Sequence, residues 1–415
     1  MRNAGFIWVI ALIMSAIDIY IFQVVKMLCQ ASSSRTKTIL FTAYWTLSIG
    51  LIVLFLLLPY LNTERWPKNF RNYLFATIVG FFFAKLLAAV FFLIDDLRRL
   101  LQWAVAKIFF RNTEVESQVN EGISRSIFLS WLGIGVGGTL ISSLIYGFSN
   151  KYNYHIRSVS LSFKNLPSAF RGLKIVQISD IHSGSFDNKK AVEKGVQMIL
   201  DLKPDLILFT GDLINDRATE MHGYQDVFGR LRAPMGVFST LGNHDYGDYV
   251  QWPTPEARDQ NIEELKRIQA SMGWRLLMNE HVVLEREGQE IALIGIENWS
   301  AKARFPKHGK MEEAYAGAEK YPFKILMSHD PSHWDAQVRP HYGDIDLTLA
   351  GHTHGMQFGI EIPGLKWSPV KYIYDKWAGL YEEKSQKLYV NRGYGFIGYP
   401  GRVGILPEIT LIELI

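Results

Sequence analysis

Cysteine is almost missing from this chain: Cys29 is the single one in 415 residues. A lone cysteine excludes an intrachain disulfide and leaves the redox compartment open. It also excludes a thiolate zinc site, so any metal must be held by His, Asp or Asn. An excess of charge of one sign is lacking too. Lys and Arg total 44 against 40 for Asp and Glu, and a net charge of +4 over this length argues against a nucleic-acid partner. Ionisable residues are scarcest in the long apolar runs of the first part, where only Asp18 and Lys85 interrupt. That scarcity speaks against a proton or ion pathway through the membrane.

What the first part does have is four apolar runs, near Gly5–Val25, Ile39–Tyr60, Tyr73–Ile94 and Ile127–Tyr146. Crossing a bilayer takes about 20 apolar residues at roughly 1.5 Å each, and each run meets that length. A cleaved signal would explain only the first run, which lacks a small-residue cleavage site. A buried soluble bundle fits neither the lengths nor the density of Phe81-Phe82-Phe83 and Phe91-Phe92. Residues 1–150 are therefore expected to form an all-α transmembrane bundle of four spans.

Asp18 and Lys85 each lie about a dozen residues into spans that cross in the same direction, which puts both roughly 18–20 Å deep. Matched depth is what an ion pair requires, and a lone charge in hydrocarbon is costly. Gly133 and Gly137 in the fourth run have the small-xxx-small spacing of close helix packing, expected here within the chain rather than between two chains. Over Asp95–Phe110, Leu97, Leu100, Leu101, Ala104 and Ile108 recur at helical spacing opposite Arg98, Arg99, Gln102 and Lys107. That pattern predicts an amphipathic helix lying in the membrane interface. Lys26, Arg35, Lys37, Arg98, Arg99, Lys107, Arg111 and Arg125 make one side richer in positive charge than the side with Arg2, Arg65, Lys68, Arg71, Lys151 and Arg157. The positive-inside rule then places the second half of the chain outside the cytoplasm.

From about Tyr152 the pattern changes to short β-rich runs alternating with amphipathic helical stretches, the signature of an α/β domain over residues 151–415. Strands are predicted at Leu173–Ile178, Leu206–Thr210, Val237–Thr240, Ile291–Ile296, Phe323–Met327 and Ile345–Leu349, and helices at Lys189–Leu200, Thr254–Met272 and Met311–Ala318. Five short motifs fall directly after these strands: Asp180-Ile181-His182, Gly211-Asp212, Gly242-Asn243-His244-Asp245, Ser328-His329 and Gly351-His352-Thr353-His354. Strand carboxyl ends are where open α/β sheets gather functional groups. Two cations about 3.5–4 Å apart can clamp a phosphate ester, and such a pair needs a shared carboxylate plus neutral imidazoles or amides. The motifs supply that inventory. His244, adjacent to Asn243, is the natural free acid-base group, with Asp245 beside it to orient it.

The five blocks in this order resemble the calcineurin-like metallophosphoesterase family, whose pattern is D-x-H, G-D, G-N-H-[DE], a lone His and G-H-x-H. The resemblance implies a four-layer α/β/β/α sandwich with two divalent or trivalent ions of manganese, iron or zinc. By position, Asp180, His182 and His354 would hold the first ion, Asp212 would bridge, and Asn243, His329 and His352 would complete the second. A metal-bridging hydroxide would attack phosphorus while His244 assists the leaving oxygen. The several spans resemble a membrane-tethered branch, where Gly-Gly-Gln commonly follows G-H-x-H. Here Gly355-Met356-Gln357 stands in its place, so Met356 is expected to narrow the pocket beside His354.

The lipid bilayer is one partner so implied, and a phosphate ester or pyrophosphate on a lipid-linked compound is the expected substrate. A UDP-diacylglucosamine-type pyrophosphatase is the alternative within the family. A transporter or channel with a regulatory phosphoesterase-like domain is the alternative outside it. The remaining histidines, His155, His222, His281, His308, His333 and His341, are read as surface or supporting groups, and Asp330 as a turn residue before Pro331. Lys307-His308-Gly309-Lys310 is read as a solvated loop, and Trp367, Tyr372, Tyr374, Trp377 and Tyr381 as core rather than an interfacial rim.

Overall fold

Alternation of apolar residues on both faces of short strands dictates buried sheets, and the computed structural model contains two. It describes residues 4–61, 66–109 and 125–415, arranged as compact units Met1–Tyr146 and Gly147–Ile415. Of the charges used above for orientation, Arg2, Arg65 and Arg111 lie outside the described residues.

The second unit's strands are β1 (His155–Leu161), β2 (Lys174–Ile178), β3 (Leu206–Phe209), β4 (Val237–Ser239), β5 (Arg275–Leu276), β6 (Glu280–Arg286), β7 (Gln289–Gly295), β8 (Lys324–Met327), β9 (Leu347–Ala350), β10 (Ile360–Ile362), β11 (Leu365–Trp367), β12 (Gly379–Glu383), β13 (Gln386–Val390) and β14 (Glu408–Leu414). They form one six-stranded sheet in the order β1-β14-β2-β3-β4-β5, a second in the order β12-β13-β9-β8-β7-β6, and the separate hairpin β10-β11. In the first sheet β14 runs parallel to β1 and antiparallel to β2, while β2, β3, β4 and β5 are parallel.

The period-two alternation divides these strands among three apolar layers. Ile175, Leu206 and Leu208 of the first sheet meet Leu293, Ile325 and Leu347 of the second between the sheets. Val176, Ile207 and Phe209 point the other way, into a core that also takes Val192 and Val196 of helix Lys189–Asp201 and Leu265 of helix Pro255–Ser271. On the outer face of the second sheet, Ala292, Ile294 and Leu326 pack with Ala314, Trp334 and Val338. The result is the α/β/β/α layering. The aromatic run near the end divides: Tyr374 and Trp377 are buried together, whereas Tyr372 is 74% exposed and not core.

In the first unit, uninterrupted apolar sequence folds as α1 (Ala4–Leu28), α2 (Ser34–Leu57), α3 (Lys68–Phe109) and α4 (Arg125–Gly147), each long and apolar enough to cross a membrane. The segment near 95–110 corrects the sequence expectation. Through Phe109 it continues α3 instead of forming a helix of its own, and Phe110 lies outside the described residues. No Gly or Pro interrupts Phe81–Phe109, and the ion pairs Arg98–Asp95, Arg99–Asp95 and Arg99–Asp96, at 2.8, 3.2 and 2.6 Å, brace the turn where apolar character gives way to polar. Periodicity reports which face of a helix is apolar and is blind to whether the helix bends. Gly133 and Gly137 of α4 lie so close to Ala88 and Ala84 of α3 that an added Cβ would come 3.0 and 2.8 Å from their carbonyl oxygens. The small-residue spacing thus serves packing within the chain.

Three helices converge on one polar cluster. Lys85 of α3 lies 2.5 Å from Asp18 Oδ1 of α1 and donates to Ser48 Oγ of α2 at 2.8 Å, and Tyr44 of α2 donates to the Asp18 carbonyl at 2.8 Å. Asp18 is 2% exposed, so removing its partner leaves an uncompensated buried charge. Lys85→Met is expected to destabilise by about 3 kcal/mol or more, and the exchange Asp18→Lys/Lys85→Asp to recover most of that. Thermal melts of the detergent-purified chain read this directly, and a double exchange as damaging as the single change would refute the pairing.

Candidate metal centre

Every expected ligand stands just past the carboxyl end of a strand. From the first sheet come Asp180 and His182 after β2, Asp212 after β3, and Asn243 with His244 after β4; from the second come His329 after β8 and His352 with His354 after β9. Packing the two sheets face to face brings these edges together. Two glycines record how closely. Gly211 has φ +94°, and a Cβ there would sit 2.6 Å from Gly242 N and 2.9 Å from His329 Nδ1. A Cβ on Gly351 would collide with Ser179 Oγ and Asp180 Oδ2.

The same crowding strains the backbone. Among the described residues, 11 non-glycine positions have positive φ, and Asp180, His182, Asp212, His352 and His354 are five of them. A left-handed conformation costs a side-chain-bearing residue about 1–2 kcal/mol, so these five are held by their surroundings rather than by preference. Met356, at φ 51°, adds a sixth beside them.

The ligand atoms assemble into two groups, Asp180 with His182 and His354, and Asp212 with His329 and His352. Asp212 Oδ2 faces both, 3.5 Å from His182 Nε2 and 3.2 Å from His329 Nε2. Asn243 joins them through Oδ1: its Nδ2 donates to Tyr249 Oη at 2.8 Å, and Oδ1 is buried without a partner. Both ring nitrogens of His182 and Nε2 of His354 are likewise buried without a hydrogen bond. Buried polar atoms left unpaired are costly, and several aimed at one point fit bound cations.

The imidazoles are set by what holds their far side. His329 Nδ1 donates to the Thr210 carbonyl at 2.7 Å, leaving Nε2 inward. Tyr374 donates to Asp330 Oδ2 at 3.0 Å, so its oxygen accepts from His352 Nε2 at 2.9 Å and leaves Nδ1 for a metal. Such outer partners fix ring orientation and basicity. Burial lowers the pKa of His182, His352 and His354, favouring the neutral rings that bind metals. Burial also depresses His329, but the Asp212 carboxylate outweighs it and raises that ring to about 10. Against the upward pull of burial, His354 holds Asp180, and His329 holds Asp212, well below the usual carboxylate range.

Asp245 departs from its expected role. It does not touch the His244 ring, whose Nδ1 donates to the Asn215 carbonyl at 2.7 Å. Instead its two oxygens accept from the backbone N–H groups of Gly242, Asp212, Leu213 and Ile214 at 2.8, 2.9, 2.8 and 3.3 Å. Burial and nearby Asp212 push its pKa up to about 7, against these donors. Residues i and i+1 in a tight turn point apart, so one turn delivers His244 to the cavity and Asp245 to the frame. Asp330 is both a turn residue, accepting from Ser332 N at 2.8 Å, and the buried support of Tyr374. His333 is buried and bonded to Ser328 and Gln337, and His308 stacks on Tyr246 at 4.2 Å instead of standing in solvent.

Four contributors carried no motif in the sequence. Arg402 is fully buried behind the first group, with Nη2 3.2 Å from His354 Nδ1 and Nη1 donating to the Arg392 carbonyl at 2.7 Å. Tyr374 and Tyr249 act as above. Arg304 lines the cavity from the loop after β7, a strand-end position that could have drawn notice by the same rule as the ligands. The contrast between neighbours is testable. Asp245→Ala leaves four buried N–H groups without acceptors, at about 1–3 kcal/mol each when unsatisfied, and is expected to lower both melting midpoint and metal content. His244→Gln is expected to keep both. Elemental analysis and melts of the two proteins check this, and equal losses would contradict the assignment.

Comparison with known proteins agrees with this geometry. Residues 1–151 match the model of a probable calcineurin-like phosphoesterase transmembrane domain, and residues 173–356 match that of the calcineurin-like phosphoesterases. A zebrafish (Danio rerio) transmembrane protein with metallophosphoesterase domain is 29% identical over 318 residues, covering 75% of this chain and 67% of that protein. The uncharacterized metallophosphoesterase YkuE of Bacillus subtilis is 30% identical over 301 residues, covering 70% of this chain and 98% of the relative. The UDP-2,3-diacylglucosamine pyrophosphatase LpxG of Chlamydia trachomatis is 29% identical over 287 residues, covering 56% of this chain and 81% of that enzyme. With its ligand-bearing strand ends and its four membrane-length helices, the chain belongs to the calcineurin-like phosphoesterases and is a multi-pass membrane member of that family.

Proposed function

We propose that this chain is a dinuclear metal-dependent phosphohydrolase that cleaves a phosphate ester or pyrophosphate on a lipid-linked substrate. The observation that carries the reading is one carboxylate oxygen, Asp212 Oδ2, standing between two ligand groups at the wall of an open cavity of about 380 Å³. When bound there, two divalent or trivalent ions (manganese, iron or zinc suit the donors) would supply Lewis acidity and activated water to a phosphoryl group. The rest of the chemistry falls to side chains. Asp180 and Asp212 would be the anionic ligands and His182, His329, His352, His354 and Asn243 the neutral ones, His329 giving up to the ions the proton that Asp212 otherwise holds on it. His244 lines the cavity with Nδ1 committed to Asn215, so Nε2 is the atom left to protonate the leaving oxygen. Arg304 offers the cavity a guanidinium suited to phosphoryl oxygens.

The apolar part of the lining supports a substrate with an apolar part. Phe305, Met356, Val370, Ile373 and Ile397 form it, which a small free phosphate would not need. A membrane-embedded chain meets such compounds as lipids. The resemblance to the chlamydial enzyme supports a UDP-diacylglucosamine-type pyrophosphatase as the specific second reading. The charge distribution across the spans supports an extracytoplasmic site, which reporter fusions to the carboxyl terminus would check.

The decisive test is a panel of phosphomonoester, phosphodiester and pyrophosphate lipids in nanodiscs, loaded with each metal in turn. Asp212→Ala is expected to be inactive, and His244→Gln to lose about a hundred- to ten-thousand-fold in kcat. Arg304→Ala is expected to raise KM about tenfold with a smaller effect on kcat. Hydrolysis of none of these classes, or activity surviving Asp212→Ala, would overturn the proposal.

A further inference from the structure

The insert between ligand His354 and cavity residue Val370 is the hairpin β10-β11, closed by Pro363-Gly364 with φ +81° at the glycine. Its pairing puts Ile360 opposite Trp367 and Ile362 opposite Leu365 on one face, and Glu361 opposite Lys366 on the other. A hairpin on a water-soluble protein turns its apolar face inward. This one is reversed. Glu361 points inward, accepting from Arg392 Nη2 at 2.6 Å and from Arg157 Nη2 at 2.8 Å, and Lys366 Nζ bends back onto the Ala378 carbonyl. Outward, Ile360, Ile362 and Leu365 are 45, 59 and 49% exposed.

We propose that this hairpin is a membrane-interface anchor: its apolar face rests in the bilayer surface and holds the rim of the metal cavity at headgroup level. Three observations select the bilayer as occupant. The chain enters this unit at Gly147, directly after the last membrane-length helix, and the Gly147 carbonyl accepts from Arg402 N at 2.9 Å. The next residue, Val403, exchanges backbone bonds of 2.8 and 2.9 Å with Gln357 and Gly359, the root of β10. The hairpin is therefore tied by backbone bonds to the residue with which this unit begins. Finally, the cavity rim is apolar and exposed as well: Met356 and Ile373, which line it, are 44 and 40% exposed, and Tyr372 beside Ile373 in sequence is 74% exposed. Apolar side chains with an aromatic among them are the composition of a surface that seats in the interface. This contact stands whichever phosphate compound the site takes.

The single cysteine makes the test direct. In a Cys29→Ser background of the full chain, Ile362→Cys, Leu365→Cys and Glu287→Cys each accept one environment-sensitive fluorophore, Glu287 lying in the exposed β6-β7 turn. In nanodiscs of phosphatidylcholine and phosphatidylglycerol, labels at 362 and 365 are expected to shift to the blue and to lose about half their emission to spin-labelled lipid, with the 287 label unaffected. No step in this readout requires catalysis, so it can fail while hydrolysis stands, and the reverse. Quenching of 362 and 365 by aqueous iodide but not by lipid would overturn the anchor. So would a 362-to-362 disulfide between two copies with no lipid quenching, which would assign the face to self-association.

Discussion

The buried carboxyl group of Asp245 is the interaction on which the candidate metal centre depends. By accepting from Gly242, Asp212, Leu213 and Ile214 it ties the loop after β4 to the loop after β3, and so fixes where the shared oxygen of Asp212 lies. Asp212 in turn accepts from His244 N at 2.8 Å, which closes the frame from the other side. Asp180 does the corresponding work across the sheets, both of its oxygens accepting from His352 N at 2.9–3.0 Å. Anionic side chains here satisfy backbone donors before they meet any metal. The strained left-handed residues can persist because these bonds over-determine them.

What was legible in the sequence follows from chemistry that must be local. Each ligand needs a strand end and a tight turn, so Gly-Asp, Gly-Asn-His and Gly-His-x-His are written in consecutive residues, and the structure puts His182, Asp212, Asn243, His352 and His354 in the lining of one cavity, with Asp180 and His329 grouped against them. Arg402, Tyr374 and Arg304 were silent because each is a single residue whose role exists only after distant segments pack. Asp245 was misread for a related reason: adjacency to His244 in sequence implied contact, whereas successive side chains in the turn diverge. That the stretch from Asp95 continues α3 was not legible either, since amphipathic spacing is the same in one continuous helix and in two. The alternation Ile360-Glu361-Ile362 before Pro363-Gly364 marks a hairpin readily enough, but alternation does not say which face is buried.

Both units bury charge, and both do so by pairing it. In the membrane unit Lys85 and Asp18 sit among hydroxyls from a third helix. In the catalytic unit Arg392 joins Glu408 and Glu361, with Glu408 also accepting from Tyr389 at 2.6 Å, and this network links β14, the hairpin and β1 through Arg157. Buried pairs of this kind add little net stability but penalise any arrangement that separates them. Their value here is register: they fix which segments meet.

The position of β14 bears on how the protein is made. The strand that follows the membrane segment, β1 (His155–Leu161), pairs among the described residues with β14 (Glu408–Leu414), the strand farthest from it in chain order. A ribosome therefore delivers all four spans to the membrane, and every ligand of the metal centre, while β1 still has an open edge. Closure of the first sheet waits for β14, the last strand of the unit in chain order. The order of synthesis thus puts the four apolar helices ahead of the pairing that completes the first sheet.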